Sequence, residues 1–540
     1  MEEQQPRGIA VNQAGYPADS RNTAVFAAEI TEFSVVDART GQTVFTGRTG
    51  GVMEDRPSGS AVRSGDFSGV KTGTYRIMDG KGAQSADFII ADKPYGALQQ
   101  GLLKAFYFFR CGQDLTAEFA GPWEHRACHL AEGTVYGQPD KKLDSCGGWH
   151  DAGDYGKYAG PGAKAVADLL LAYELYPSAF AAPVPLPESD GKTPDVLLEC
   201  KVELDWLFKM QDVESGGVYH KLTTLNFPGL DVMPEEDAAD LFFSPVSATA
   251  TGDFAAVMAL ASRIYAPLDA EYAERCLRAA EAAWGWLEAH PETPGFKNPP
   301  EITTGEYGDD TDADERFWAA AELYRTTGAA AYHAAFQRLA GQDFPKYGLG
   351  WADMGGYGTL SYLLGGEARS DAKLYAELRE GLFAEARLLL ARTEANGYPL
   401  SLREEDYIWG SNMLVLNNAM LLLAAEALGG DPAFADCALD HLHYLLGRNA
   451  LDISYVTGFG DRPVRHPHHR PSVGDAVEEP VPGMVSGGPD RGLHDDYVAE
   501  HLQNKAAALC FADHDLSYST NEVTIYWNSP AVFVTARFNR

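Results

Sequence analysis

The sequence predicts a mainly α fold, a closed ring of helical hairpins, preceded by a small β-sandwich. Three observations carry this. The chain has 540 residues, more than one core usually supports. Its first 90 or so residues alternate like strands, and the rest is periodic like helices. In the first part, Thr23-Ala24-Val25-Phe26, Phe33-Ser34-Val35-Val36 and Thr74-Tyr75-Arg76-Ile77 are β-rich runs, punctuated by Gly, Pro, Asp and Ser. Asp66-Phe67-Ser68-Gly69 and Ala86-Asp87-Phe88-Ile89-Ile90 continue the pattern, and this spacing reads as a sandwich. Pro94-Tyr95-Gly96 marks the boundary, giving domains 1–93 and 94–540. Beyond it, Leu197, Leu198, Leu204, Leu207 and Phe208 share one helical face. Similar patterns occupy 97–110, 161–176, 247–266, 269–289, 313–327, 371–392, 410–428 and 433–446. Thr193-Pro194-Asp195 and Asp431-Pro432 are start signals, and Gly429-Gly430 is a stop. So many helices of ordinary length exceed a four-helix bundle and show no short repeat. A ring of hairpins is the natural solution, with function in the loops at its rim. The two longest loops, near 111–160 and 450–510, are rich in Gly, Pro, His and Asp.

Composition excludes several classes. Lys and Arg number 43 against 77 Asp and Glu, a formal charge of −34. That field repels nucleic acid, anionic membrane and acidic polymers, and leaves neutral ligands or bound cations. Seven cysteines are odd in number and too few for a disulfide framework. Met1-Glu2-Glu3-Gln4-Gln5-Pro6-Arg7 lacks the basic and apolar regions of a signal peptide, and no apolar run spans a bilayer. The expectation is a soluble monomer, either secreted with its signal removed or cytoplasmic.

The most informative stretch is Cys146-Gly147-Gly148-Trp149-His150-Asp151-Ala152-Gly153-Asp154-Tyr155-Gly156-Lys157-Tyr158. It sets two carboxylates three residues apart among glycines and aromatics. Glycines permit backbone turns that other residues resist, so this is a shaped loop. Aromatic faces beside carboxylates suit sugar rings, whose C–H faces stack while their hydroxyls hydrogen-bond. The residues alone leave open an Asx-turn loop whose aspartates only satisfy backbone N–H groups. A second segment runs from Asp513 through Tyr518 and Glu522 to Asn528, and Glu522 is followed by Val523, Ile525 and Trp527. Apolar surroundings raise a carboxyl pKa, as a general acid near neutral pH requires. A Glu at a helix N-terminus, favoured by the dipole, is the alternative.

Together with Asp151-Ala152-Gly153-Asp154, two segments carry a family resemblance. They are Ser454-Tyr455-Val456-Thr457-Gly458-Phe459-Gly460-Asp461-Arg462 with Pro467-His468-His469-Arg470, and Asp513 to Asn528. The chain resembles glycoside hydrolase family nine, the inverting cellulases, over nearly its whole length. Val11-Asn12-Gln13-Ala14-Gly15-Tyr16 and Asp66-Phe67-Ser68 resemble the immunoglobulin-like module of one branch. The resemblance implies an (α/α)6 barrel and an inverting hydrolase of β-1,4-glucosidic bonds in cellulose-like or mixed-linkage β-glucans. It implies that Glu522 is the general acid, that Asp154 is the base activating water, and that Asp151 orients that water. The physics agrees, because inversion needs two carboxyls roughly 6.5–9.5 Å apart. Two acids three residues apart are better placed to share a water than to straddle a sugar. By the same resemblance His468 and Arg470 bind substrate hydroxyls, Trp409 stacks on a glucosyl unit, Tyr518 lies near the acid and Asp513 supports it. Trp149 and Trp351 are further candidates for stacking.

Two metals are expected, and no organic cofactor. Cys111, Cys128, His129 and His150 supply two sulfurs and two imidazoles, a tetrahedral set of the structural-zinc kind. The spacing is not that of a zinc finger, and buried thiols or a Cys111–Cys128 disulfide are the alternatives. The resembling branch carries zinc at these positions. Thr304-Gly305-Glu306-Tyr307-Gly308-Asp309-Asp310-Thr311-Asp312-Ala313-Asp314-Glu315 offers hard oxygen donors, or merely compensates a helix dipole. The resemblance suggests calcium on Thr304, Glu306, Asp309 and Asp310. An exo-acting cellodextrinase and an exo-β-glucosaminidase on chitosan oligomers keep the chemistry and change the substrate. A non-catalytic glycan-binding protein is the reading from another class.

Overall fold

A computed structural model describes residues 6–540. Met1–Gln5, on which most of the leader-free reading rests, lie outside the described residues. The chain is mainly α, with a β-sandwich ahead of its helices. No described helix is long and apolar enough to cross a membrane. By contacts it divides into two compact units. One holds residues up to Ala105 with Ala386–His468 and Val477–Arg540, and the other holds Phe106–Glu385 with His469–Ala476.

In the first unit the sandwich has two sheets. One orders Ile9–Ala10, Thr23–Ala27, Ser60–Asp66 and Met53–Asp55, all antiparallel. The other orders Tyr16–Pro17, Phe88–Ala91, Gly73–Met78, Glu32–Asp37 and Thr43–Arg48. Only its Tyr16–Pro17 edge is parallel. The alternating inward residues Phe33 and Val35, and Tyr75 and Ile77, meet Phe26, Phe67 and Phe88 in one core. The strand expected to run on through 66–69 stops at Asp66. There Ser68 N–H bonds Asp66 Oδ1 at 2.7 Å and Gly69 turns at φ +84°, so Phe67 drops into the core from a turn.

The Asn12-Gln13 pair joins the sandwich to the helical part of this unit. Asn12 Nδ2 lies 2.8 Å from His443 Nδ1, and Gln13 Oε1 accepts from Asp461 and Arg462 N–H. Arg448, fully buried, donates to Asp440 Oδ1 at 2.6 Å and to the Thr23 hydroxyl. A buried polar junction of this kind fixes orientation, because each unmatched donor costs roughly 1–3 kcal/mol. Helices Ser411–Ala427, Ala433–Leu445 and Ile525–Asn539 pack together in this unit.

In the second unit Ala248–Tyr265 is the central helix, buried on nearly every face. Ala159–Leu175, Ala270–Ala289 and Ala313–Thr327 pack against it, with Asp195–Met210 on the first and Gly355–Leu364 on the last. A five-stranded sheet of short strands joins the loops: Gln138–Leu143, Gly133–Val135, Phe242–Phe243, Lys221–Thr223 and Lys157–Tyr158. The nine expected helical segments are all helical within a few residues. Ala330–Ala340, Gly355–Leu364 and Ile525–Asn539 are additional.

Candidate active site

In the second unit the glycine loop is built from three directions. Cys111 N–H bonds Gly148 O at 2.8 Å and His150 N–H bonds Phe109 O at 2.7 Å, so the loop pairs with the chain following a helix. Gly147 and Gly148 stand at φ +96° and +74°. A side chain on Gly148 would strike Trp206 and Glu203, which makes glycine necessary there. Glu203 Oε2 accepts from Trp149 N–H at 2.7 Å, and burial pushes its carboxyl up to about 8. Glu199 grips Arg110 with both oxygens, at 3.0 and 2.8 Å, and takes the Trp149 indole N–H at 2.9 Å. Lys157 Nζ donates to Ser145 O and Gly147 O at 2.7 and 2.6 Å. The loop is thus held by buried charge, not by hydrophobic packing alone.

Asp151 and Asp154 are 1% and 7% exposed. Asp151 N–H bonds Gly156 O at 2.9 Å, and Asp154 Oδ2 accepts from Gly156 N–H at 2.8 Å. Only the Asp154 carboxylate satisfies a local backbone N–H, as the turn reading has it; the Asp151 bond is made by its main chain and leaves its carboxylate for other partners. Tyr307 O–H donates to Asp151 Oδ2 at 2.6 Å, and Asp151 Oδ1 is buried without a hydrogen-bond partner. Burial, then the Asp154 charge, pushes the Asp151 carboxyl well above the usual range. Burial also raises Asp154, against which the Arg470 charge pulls.

Tyr307 was not singled out by sequence. It stands at φ +46°, a strained backbone for a bulky residue, between the rings of Tyr158 and Trp351 at 4.7 and 4.9 Å. Such an outlier is visible only in coordinates. Trp351 is half-buried there. Trp149 is 1% exposed, with its ring 4.7 Å from Phe106, so it has no face to offer a sugar. Arg470 is also buried. Its guanidinium donates to Gly153 O at 2.8 Å and through two nitrogens to Pro228 O at 3.2 and 3.1 Å. It clasps the residue before Asp154 to a second loop, and the half-exposed Phe227 ring lies 5.5 Å from it.

Behind the loop, the ligand atoms of Cys111, Cys128, His129 and His150 all lie within 4.8 Å of one another, and all four residues are buried. Cys128 Sγ is 3.9 Å from His150 Nε2, and both cysteines are free thiols. The Cys128 thiol hydrogen-bonds Cys111 and holds it well below the usual thiol range. His129 Nδ1 is buried without a partner. A tetrahedral ion with ligands at roughly 2.0–2.3 Å fits this donor set. Among the described residues no second group of His, Cys, Asp or Glu draws its ligand atoms so close.

The acidic segment is arranged differently from the expected set. The Thr304 hydroxyl lies 3.1 Å from Lys221 Nζ and 2.8 Å from the Thr223 hydroxyl. Glu306 accepts from Asn298 N–H and Lys297 Nζ, and Asp310 is exposed. Asp309 alone of the four keeps a buried oxygen without a partner, as do Asp253, Asp314 and Glu315. Burial, then repulsion from neighbouring carboxylates, raises the carboxyls of Asp253 and Glu315 well above the usual range, and burial raises Asp314 against hydrogen bonds that pull it down. Sequence reading passed over Asp253 because it lies inside a helix far from the acidic run.

The first unit holds the other set. Glu522 is half-buried between buried Asn521 and Val523. Its carbonyl accepts from Gly487 N–H at 2.9 Å, and His468 N–H bonds Asn521 O at 2.8 Å, so two loops fix its backbone. Asp513 accepts from Arg465 and His466 N–H at 2.9 and 2.8 Å and from Asn521 Nδ2 at 3.1 Å. It thereby ties the turn before His468 to the residue before Glu522. His468 Nδ1 lies 2.5 Å from Asp515 O. The Tyr518 ring stands 5.2 Å from Trp409 and 5.9 Å from His468, and its hydroxyl donates to His494 O. Trp409 is 42% exposed, and Gly410 at φ +76° turns the chain behind it.

One buried carboxyl pair on a braced loop, with exposed aromatic rings elsewhere in the chain, is the kind of equipment a carbohydrate-cleaving enzyme uses. Residues 95–535 match glycosyl hydrolase family 9, and residues 4–82 match the cellulase N-terminal Ig-like domain. The chain belongs to glycoside hydrolase family 9. It is 40% identical to a cellodextrinase of Butyrivibrio fibrisolvens, over 97% of this chain and 98% of that one. The crystal structure of a single mutant of a thermostable endoglucanase from Alicyclobacillus acidocaldarius has 43% identity and a TM-score of 0.94, covering 99% of this chain and 100% of that one. A zinc-binding triple mutant of the family 9 endoglucanase J30 has 35% identity and a TM-score of 0.91, covering 97% and 100%.

Proposed function

We propose that the protein hydrolyses β-1,4-glucosidic bonds of cellulose-like or mixed-linkage glucans with inversion at the anomeric carbon. Asp154 is the base that takes a proton from water, Asp151 orients that water, and Glu522 protonates the departing oxygen. The observation that carries the reading is the Asp151–Asp154 loop. Two buried carboxyls share one turn and differ in partners, Tyr307 for one and the Arg470 charge for the other. Groups held in different environments take different proton-transfer roles. Trp409 and Tyr518 serve as sugar platforms, and His468 as a hydroxyl partner. Arg470 acts on Asp154 and on the loop. The division into 1–93 and 94–540 is kept, the first as an immunoglobulin-like support for a catalytic part that works as a single chain.

The test is a time course on cellopentaose with anomer detection by NMR. The α-anomer should appear first, and a first product in the β form rules out inversion. The relationship to a cellodextrinase over nearly the whole of both chains supports a second reading, exo action on short oligomers. Glucose and cellotetraose as the first products from cellopentaose, with no early cellotriose, decide for it. A chitosan oligomer run in parallel decides for or against a glucosaminidase.

Replacing Tyr307 with Phe removes the 2.6 Å bond to Asp151. A hydrogen bond to a charged group contributes roughly 1.5–3 kcal/mol, so kcat should fall about tenfold or more while KM stays near its original value. A raised KM with kcat unchanged would make Tyr307 a binding residue instead.

Zinc on Cys111, Cys128, His129 and His150 is structural, since four protein ligands leave no position for a reacting water. Calcium is assigned to the Asp253, Asp309, Asp314 and Glu315 carboxylates, each of which keeps one buried oxygen without a partner, in preference to Thr304, Glu306 and Asp310. Carboxyls with raised pKa bind more protons folded than unfolded. Metal-free protein therefore loses stability as pH rises from the ordinary carboxyl range through the raised values. A bound cation reverses this by favouring the ionised forms. EDTA should consequently lower Tm more at pH 8 than at pH 5, and added Ca²⁺ should restore it. An equal effect at both values removes calcium from this cluster.

A further inference from the structure

Lys221 is a buried cation in the second unit. It lies on the strand Lys221–Thr223, which pairs antiparallel with Lys157–Tyr158 so that Lys221 stands opposite Tyr158. Its backbone is fixed on the other side by Ser244, whose hydroxyl accepts from Lys221 N–H at 3.0 Å and whose N–H bonds Lys221 O at 2.9 Å. The ammonium donates to Gly305 O at 2.6 Å, with Thr304 Oγ1 at 3.1 Å and Thr304 O at 3.4 Å. It also lies 5.5 Å from the centre of the Tyr158 ring. All three oxygens belong to the turn that leads to Tyr307, the residue whose hydroxyl reaches Asp151.

Tyr158 links this ammonium to Asp154. A Cβ added to Gly156 would stand 2.7 Å from the Tyr158 hydroxyl and 2.8 Å from Asp154 Oδ2. One added to Gly305 would stand 3.2 Å from the same hydroxyl. The Lys221 turn, the Tyr158 hydroxyl and the Asp154 carboxylate are thus near neighbours. The charged and titratable groups around them can be named. Asp154 feels Arg470 and Lys221 as cations, while Asp151 beside it feels Asp154 and Glu203 as anions. Burial pushes the Lys221 ammonium down to about 8, against the charges of Asp154 and Glu306, which hold it protonated below that pH. A lysine is costly to bury, and its stem could snorkel to solvent if packing were its only purpose. Here its charge is kept inside.

We propose that Lys221 is a positioning residue of the hydrolytic reaction. Its ammonium pins the Thr304–Gly305 turn that delivers Tyr307 to Asp151, and it supplies a fixed positive charge beside the Asp154 base. The proposal rests on Asp154 being that base. It assigns Lys221 no contact with the sugar and no proton transfer.

The experiment compares Lys221→Met, Lys221→Gln and Lys221→Arg with the unaltered full chain on cellopentaose across pH. A nearby opposite charge lowers a carboxyl pKa, so losing the Lys221 charge should move the acidic limb of kcat/KM upward in the Met and Gln variants. Their kcat should fall about tenfold or more with KM changed less than about twofold, because the group acts on the reacting carboxyls and not on the ligand. Lys221→Arg should keep the limb in place and recover most of kcat. A folded Met or Gln variant with an unmoved limb overturns the proposal, as does an Arg variant no better than Met. If neither neutral variant folds, Lys221 is scaffold and the proposal fails. Asp154→Asn run alongside separates the two claims. If it retains turnover, the base assignment falls; if it is inactive while the limb of Lys221→Met is unmoved, only the Lys221 proposal falls.

Discussion

Asp154→Asn and Glu522→Gln should each lower kcat by about 10²–10⁴-fold while leaving the fold intact, the range that a positioned proton-transfer group contributes. Both substitutions are close to isosteric. The amide oxygen of the first variant can still accept from Gly156 N–H, which now meets Asp154 Oδ2 at 2.8 Å, so the loop should keep its shape. The second variant keeps the backbone bonds at Gly487 and His468, which do not involve the side chain. Neither amide can take or give the proton. The two variants should differ in one respect. A substrate with a good leaving group, such as a 2,4-dinitrophenyl cellobioside, needs little help from an acid. Glu522→Gln should therefore recover much of its rate on it, and Asp154→Asn should not. Circular dichroism and Tm check the fold. A variant that keeps near-normal turnover on cellopentaose removes that residue from the mechanism, and rescue of Asp154→Asn by the activated substrate exchanges the two roles.

Most helices with one wet face could be read, though Ala330–Ala340, short and also open on one side, was not. Ala270–Ala289 and Ala372–Ala395 alternate buried and open faces, and the 3.6 period shows through. Ile525–Asn539 is buried almost throughout, β-branched and interrupted by Pro530, so it carries no stripe. Gly355–Leu364 begins Gly-Gly-Tyr-Gly, and those glycines serve close packing: a Cβ on Gly358 would strike Phe317. Neither helix follows from local propensity, because tertiary contact decides both. The five-stranded sheet was invisible for another reason. Its strands are two to six residues long and pair over large sequence separations, as Gly133–Val135 does with Phe242–Phe243.

The same distinction holds for the site. Asp151, Asp154 and Glu522 lie in contiguous, compositionally unusual segments, so residue types alone single them out. What holds them in place comes from far along the chain. Glu199 and Glu203 look like ordinary helix acids, yet both are buried beneath Trp149. Lys221 follows a histidine in an unremarkable run, and Tyr307 sits in a loop that reads as acidic. Arg470 was expected to meet substrate hydroxyls, and its bonds to the main chain at Gly153 and Pro228 were not legible. A motif records which groups react; their burial and bracing are set by pairings that sequence distance hides.

The second large effect concerns the bracing from behind. His150 precedes Asp151 directly, and its side chain belongs to the cluster with Cys111, Cys128 and His129. Cys128→Ser replaces a soft thiolate donor with a hydroxyl, which binds zinc poorly, and leaves a buried Cys111 with two imidazoles and no shared ion. Elemental analysis should fall from about one zinc per chain to well below that, given that four ligands of suitable type close a structural site. Loss of such an ion belongs among the few single changes that cost more than about 4 kcal/mol. Binding energy at a site absent from the unfolded chain is folding energy. The rate should suffer as well, and in a diagnostic way. Trp149 stays anchored to Glu199 and Glu203 at one side of His150, while the Asp151 side loses its tether. Reacting groups held loosely lower kcat more than they raise KM. If zinc is absent from the unaltered protein purified without chelator, the cluster is four buried side chains and no more. If Cys128→Ser loses zinc with its kcat unchanged, the ion serves stability alone and Glu199 and Glu203 suffice to hold the loop.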